Sequence, residues 1–105
     1  MQKLLPSEFL NALSQETVGH ALVVDVRSPE EYAMGHLPNA KNVPLDQLEN
    51  RIPELVEYSS VYIHCKTGHR SEQACLLLER LNFSRVVNLL GGLEAWKKAG
   101  FPVER

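Results

Sequence analysis

The sequence predicts an α/β domain, a layered sandwich built around a mostly parallel sheet with right-handed crossovers. Three observations carry this expectation. Apolar runs rich in β-branched residues, Leu22-Val23-Val24-Asp25-Val26, Ser60-Val61-Tyr62-Ile63-His64 and Arg85-Val86-Val87-Asn88-Leu89-Leu90, alternate along the chain with amphipathic runs. The first of them is apolar on successive residues, which suits a strand covered on both faces. Helix start and stop signals fall between the runs, and no linker, repeat or low-complexity tract divides the 105 residues, so 1–105 is expected to form one domain.

Taken in order, Leu4 and Leu5 suggest a short first strand, and Pro6-Ser7 starts a helix that presents Phe9, Leu10 and Leu13 on one face and should stop near Gly19. The strand Leu22–Val26 contains Asp25, a carboxylate in an apolar run that requires a partner. Ser28-Pro29-Glu30-Glu31 is a helix start: Ser28 caps, Pro29 suits the first helical position and Glu31 reaches back in a capping box. Gly35 ends that helix early, and Val43 marks a brief strand before Pro44.

Asp46 with Glu49 resembles a second capping box, with Leu45, Leu48, Ile52 and Leu55 near helical period and Pro53 ending or kinking the helix. After the strand Ser60–His64, the stripe Ala74, Cys75, Leu77, Leu78, Leu81 calls for a helix beginning near Ser71 and packed on the sheet, with Asn82 as a left-handed terminator. The last strand runs into Gly91-Gly92, which opens a short helix with Leu93 and Trp96 inward, Lys97 and Lys98 at its C-terminal end, Gly100 as cap and Pro102 beyond.

Composition excludes several classes. An apolar fraction of 44% and a charged fraction of 23% set aside disordered, collagen-like and coiled-coil chains. A net charge of −2 argues against a general nucleic-acid binder. The N-terminal residues lack a long apolar core, so neither a signal peptide nor a membrane span is expected and the reading is cytoplasmic. Cys65 and Cys75, ten positions apart, match neither zinc-ligand nor Cys-x-x-Cys spacing and read as free thiols in a reducing compartment. No pair of histidines has metal spacing, and neither a metal nor a cofactor is expected.

The chemistry is expected at Cys65-Lys66-Thr67-Gly68-His69-Arg70-Ser71. This segment joins the carboxyl end of a strand to a helix, the place where parallel sheets set their working sites. An anion there meets backbone N–H groups around a tight bend, the positive end of the helix, and the side chains of Lys66 and Arg70. The same donors favour the ionised form of the Cys65 thiol, so Cys65 is the candidate nucleophile. Gly68 supplies the backbone freedom of a cradle.

A set of segments extends the argument to a family. Asp25-Val26-Arg27 with Glu31-Tyr32, Gly35-His36-Leu37-Pro38-Asn39-Ala40 with Asn42-Val43-Pro44, Cys65 to Ser71, and Gly91-Gly92, Trp96, Gly100 and Pro102-Val103 occur in one order. In these the chain, from about Leu22 to Val103, resembles the single-domain form of the rhodanese homology domain. The resemblance implies a three-layer fold of about five strands with helices on both faces. It also implies a thiosulfate sulfurtransferase acting by double displacement: Cys65 takes the outer sulfur of thiosulfate or of a persulfide donor, sulfite departs from thiosulfate, and the persulfide passes sulfur to cyanide or a thiol. Lys66, Thr67, Gly68, His69, Arg70 and Ser71 would form the substrate-binding loop. Lys66 stands where the family commonly has arginine. A sulfur-carrier protein or a cysteine desulfurase is an implied partner; nucleic acid and membrane are not.

Two other readings stand beside it. The same fold carries Cdc25-type phosphatases and arsenate reductases, whose loop is one residue longer; the four residues between Cys65 and Arg70 make a smaller cradle, better matched to one sulfur atom. A non-catalytic interaction module is the third, against which the intact cysteine counts. Among the remaining residues, Cys75 and Trp96 read as core, His64 as structural and pointing away from Cys65, and His36 as the family's turn histidine. His69 either tunes acceptor access or faces solvent. Asp25 and Arg27 read as a buried ion pair, and Arg70 can bond a carboxylate or loop carbonyls as well as face an anion.

Overall fold

The computed structural model describes all 105 residues. Its elements follow one another as β1 (Gln2–Leu4), α1 (Pro6–Ser14), β2 (Ala21–Asp25), α2 (Pro29–Ala33), β3 (Lys41–Asn42), two 3-10 segments (Leu45–Gln47 and Glu49–Glu54), β4 (Ser60–His64), α3 (His69–Arg80), β5 (Val86–Leu89) and α4 (Gly92–Lys98). The five strands form one sheet in the order β1-β5-β4-β2-β3, and every pairing is parallel. The sheet is thus wholly, rather than mostly, parallel.

Period-two alternation in the central strands sends neighbouring residues to opposite faces. Val24, Ile63 and Cys65 join a core with Ala74, Cys75 and Leu78 of α3 and Leu48 and Leu55 of the 3-10 region. Val23, Tyr62 and Val87 join the other core, with Phe9 of α1 and Leu93 and Trp96 of α4. There Phe9 meets the rings of Tyr62 and Trp96 edge-on at 5.2 and 6.1 Å, the geometry ring quadrupoles favour. Trp96 also donates its Nε1–H to the Pro102 carbonyl at 2.8 Å, which ties the C-terminal segment to α4.

Three expectations need correction. α1 ends at Ser14, five residues before Gly19. Beyond it Val18 is 97% exposed, so no apolar face remains to bury, while Glu16 turns back to accept the Tyr62 hydroxyl at 2.7 Å. Leu45–Gln47 and Glu49–Glu54 form two 3-10 segments instead of an α-helix. Leu45 and Leu48, like Ile52 and Leu55, are three apart, a spacing that stacks side chains in a 3-10 turn. The kink at this place falls on Arg51 (φ −114°, ψ 15°), with Pro53 inside the second segment. Finally, α3 begins at His69 and not near Ser71, so His69, Arg70 and Ser71 lie in its first turn.

The α2 start is as the sequence indicates: Ser28 Oγ accepts from the Glu31 N–H at 3.2 Å, and Glu31 Oε1 accepts from the Ser28 N–H at 3.1 Å. Asn82 adopts φ 70° just past the end of α3.

Candidate active site

β4 carries Cys65 to the carboxyl edge of the sheet, and the chain turns at once into α3. Gly68, the N-cap of α3, sits at φ 103°, a region closed to most side chains. A β-carbon on Gly68 would also approach the Gly91 nitrogen to 3.2 Å. The turn folds the loop over its own first residue. Cys65 Sγ accepts from the Gly68 N–H at 3.1 Å and the Ser71 N–H at 3.3 Å. Two backbone donors, one of them in the first turn of a 12-residue helix, therefore aim at the sulfur. The thiol is itself buried, at 1% exposure.

The loop carbonyls are fixed from outside. The Leu93 N–H donates to the Cys65 carbonyl at 2.8 Å and the Glu94 N–H to the Lys66 carbonyl at 3.1 Å. These are unpaired N–H groups of the first turn of α4, and by drawing the carbonyls outward they leave the loop N–H groups turned to the other side. Gly91 and Gly92 adopt φ 75° and 60° to bring the helix this close.

A second layer of polar groups was not foreseen. Asn88, in the middle of an apolar strand, is 2% exposed. Its Oδ1 accepts the Ser71 hydroxyl at 2.5 Å, and its Nδ2 donates to the Gly68 carbonyl at 3.4 Å. With its proton committed to Asn88, Ser71 Oγ presents a lone pair to the thiol, which donates to it over 3.4 Å. The signal was present in the sequence: an amide inside a buried strand needs partners, as Asp25 does.

Lys66 and Thr67 are exposed at the loop rim, and Lys66 is in no ion pair. His69 is exposed too. Arg70 turns toward α2, where its Nη1 and Nη2 donate to Glu31 Oε1 and Oε2 at 2.8 and 3.0 Å. This is the carboxylate-bonding alternative, and its partner Glu31 is the residue that also closes the α2 capping box. The Arg70 fork holds the Glu31 carboxyl well below its usual range, at about 2. Beside Arg70 a groove of about 490 Å³ opens between α2 and the 3-10 region, with Ser28, Pro29, Pro44, Leu45 and Asp46 in its walls.

Behind the loop, Asp25 and Arg27 form the expected buried pair. Arg27 donates from its backbone N–H (2.9 Å), Nε (3.0 and 3.1 Å) and Nη2 (2.8 Å) to the carboxylate, and from Nη2 to the Gly35 carbonyl at 2.6 Å. His64 lies on the face opposite Cys65, as expected. It is fully buried, neither ring nitrogen has a hydrogen-bond partner, and its Nε2 is 3.9 Å from Asp25. Burial pushes its pKa down to about 4, outweighing the attraction of a carboxylate already matched by Arg27. His36 is buried in its turn, stacked on Tyr32 at 3.8 Å. Cys75 is buried in the α3 core, and burial pushes its thiol up to about 12. No group of three His, Cys, Asp or Glu side chains is placed to hold a metal ion, and no helix is long and apolar enough to cross a membrane.

Comparison with known proteins accords with this geometry. A family model described as Rhodanese-like domain matches residues 5–99. A protein of Allochromatium vinosum named Sulfurtransferase is 40% identical over 82 residues, covering 78% of this chain and 77% of that protein. Against two Bacillus subtilis relatives, 38% and 37% identical, the chain spans only 40% and 60% of their length. Among solved structures, a rhodanese-like domain protein of Staphylococcus aureus superposes with a TM-score of 0.82 at 32% identity, over 100% of both chains. A Rhodopseudomonas palustris protein of unknown function, described as a possible tyrosine phosphatase, gives 0.88 at 26% identity over 99% of this chain and 85% of its own. With a parallel sheet in this strand order, a cysteine loop closing into a helix, and a family match over nearly all of its length, the chain belongs to the rhodanese-like domain family.

Proposed function

We propose that this protein is a sulfurtransferase that carries a sulfane sulfur as a persulfide on Cys65. In the first half-reaction the Cys65 thiolate attacks the outer sulfur of thiosulfate or of a persulfide donor. The Sγ–S bond forms as the donor's own bond to that sulfur breaks, and sulfite or a thiolate leaves with the electron pair. In the second, a thiol or cyanide attacks the outer sulfur and returns Cys65 as thiolate. No proton must be supplied to sulfite, which is a stable anion. The demand is for donors around a negatively charged sulfur.

The observation that carries the reading is the pair of backbone N–H groups, of Gly68 and Ser71, directed at Cys65 Sγ. Burial of the thiol supports it, because the substrate then has to present a single projecting atom. Lys66, exposed and unpaired, attracts an anionic donor to the rim, while Thr67 and His69 border its approach. A sulfur-carrier protein or a cysteine desulfurase remains the partner class of this reading, and two buried free thiols fit a reducing compartment such as the cytoplasm.

Incubation with thiosulfate under anaerobic conditions should add one sulfur atom to the intact mass, and Cys65→Ser should abolish the gain. Absence of any adduct with thiosulfate and with an alkyl persulfide overturns the proposal. The phosphatase reading draws on the structural likeness to the R. palustris protein. It ranks second because only four residues separate Cys65 from Arg70, and turnover of an aryl phosphate without sulfur loading would reverse the ranking.

A further inference from the structure

Glu31 does more than cap α2. Its carboxylate accepts four hydrogen bonds: from Ser28 N–H (3.1 Å) and Ser28 Oγ (3.2 Å) in the cap, and from Arg70 Nη1 (2.8 Å) and Nη2 (3.0 Å). The cap fixes the carboxylate, so the carboxylate in turn fixes Arg70. Both partners are about one-third exposed, at 37% and 32%, and ion pairs this exposed add little to stability. The main effect of the pair falls on the site. The end-on fork by which an arginine grips an oxyanion is already occupied, and the Arg70 charge is cancelled at close range. Within the groove beside Arg70 the other charged wall residue is Asp46, an anion. Lys66 is left as the unpaired cation of the loop.

We infer that Glu31 is a specificity-determining residue that masks Arg70 and so biases the site against dianionic sulfur donors and toward donors of lower charge. This rests on the sulfurtransferase reading and deepens it. Thiosulfate and a thiosulfonate such as methanethiosulfonate deliver the same outer sulfur to Cys65, with sulfite or a sulfinate leaving. They differ by one negative charge at the leaving end. Masking Arg70 withholds attraction from both donors, and more from the first, which carries the additional charge.

The test is the ratio of kcat/KM for thiosulfate to that for methanethiosulfonate, in the wild type and in Glu31→Gln. Glutamine retains the capping-box role, so α2 is kept while the charge on Arg70 is released. The ratio is expected to rise about fivefold to tenfold, the scale on which one added charge acts on a dianion near a protein surface. The thiosulfate rate of the variant should also fall more steeply with added salt than that of the wild type. A ratio that stays the same or falls, with the variant folded, overturns the inference while leaving sulfur transfer intact. Failure of both donors to load the wild type would instead overturn the transfer reading, and this inference with it.

Discussion

Gly92 lies so close beneath Lys66 that a β-carbon on it would stand 2.5 Å from both the carbon and the oxygen of the Lys66 carbonyl, and 2.7 Å from the Cys65 oxygen. Those are the carbonyls that α4 must hold to keep the loop turned. Gly92→Ala is therefore expected to cost about 2–5 kcal/mol from left-handed backbone strain and overpacking combined, and to abolish sulfur loading. Gly19 is the control: it has φ +84° with nothing within 4 Å of a β-carbon. Gly19→Ala should cost only about 1–2 kcal/mol and leave loading unchanged. Urea denaturation and intact mass after thiosulfate treatment measure both.

Ser71 and Asn88 act on the thiol as one unit, because Asn88 takes the Ser71 hydroxyl proton and so leaves Ser71 Oγ to accept from Sγ. That contact favours the protonated sulfur, so Ser71→Ala and Asn88→Leu are each expected to speed persulfide formation at neutral pH up to about tenfold, the rate equivalent of one modest hydrogen bond. The double variant should be no faster than the faster single variant. Multiplicative gains in single-turnover kinetics would show that the two residues work independently.

His64 gives stability a pH dependence whose sign is fixed. In the unfolded chain it titrates near 6.5 and in the fold near about 4. Between those values the unfolded state holds a proton that the native state lacks, so stability rises with pH across the window and is lost on acidification from 6.5 toward 4. The full contribution is about 3 kcal/mol. Replacing the imidazole in His64→Leu should flatten urea-derived stability between pH 6.5 and 4; an unchanged slope would mean the ring is protonated in the fold.

Cys75 should take no part in the chemistry. Its thiol is buried and pushed to about 12, so it remains protonated and unreactive at neutral pH. Cys75→Ala is expected to cost about 1–2 kcal/mol from the small cavity it leaves, with thiosulfate loading still one sulfur per chain. Loss of loading in that variant would assign Cys75 a role.

Much of this was legible in the chain. The three apolar runs became β2, β4 and β5 because a parallel strand buried on both faces leaves an unmistakable composition. Ser28, Pro29 and Glu31 announced α2 because capping is local. What could not be read depended on long-range partners. Leu45 to Leu55 satisfied helical spacing and 3-10 spacing alike, and packing on α3 decided between them. Asn88 is 17 residues from Ser71, and Arg70 is 39 from Glu31. Neither pairing is implied by any local pattern, yet both hold residues of the loop that Cys65 opens.

The grip of Leu93 and Glu94 on the carbonyls of Cys65 and Lys66 has a consequence in time as well as in space. The cysteine leaves the ribosome well before α4 does, and until that last helix docks the loop has nothing to pull its carbonyls away from the sulfur. A chain that ends before α4 lacks both donors, and it is expected to take up no sulfur from thiosulfate even where the rest of the sheet has formed; intact mass of a C-terminally clipped chain checks this.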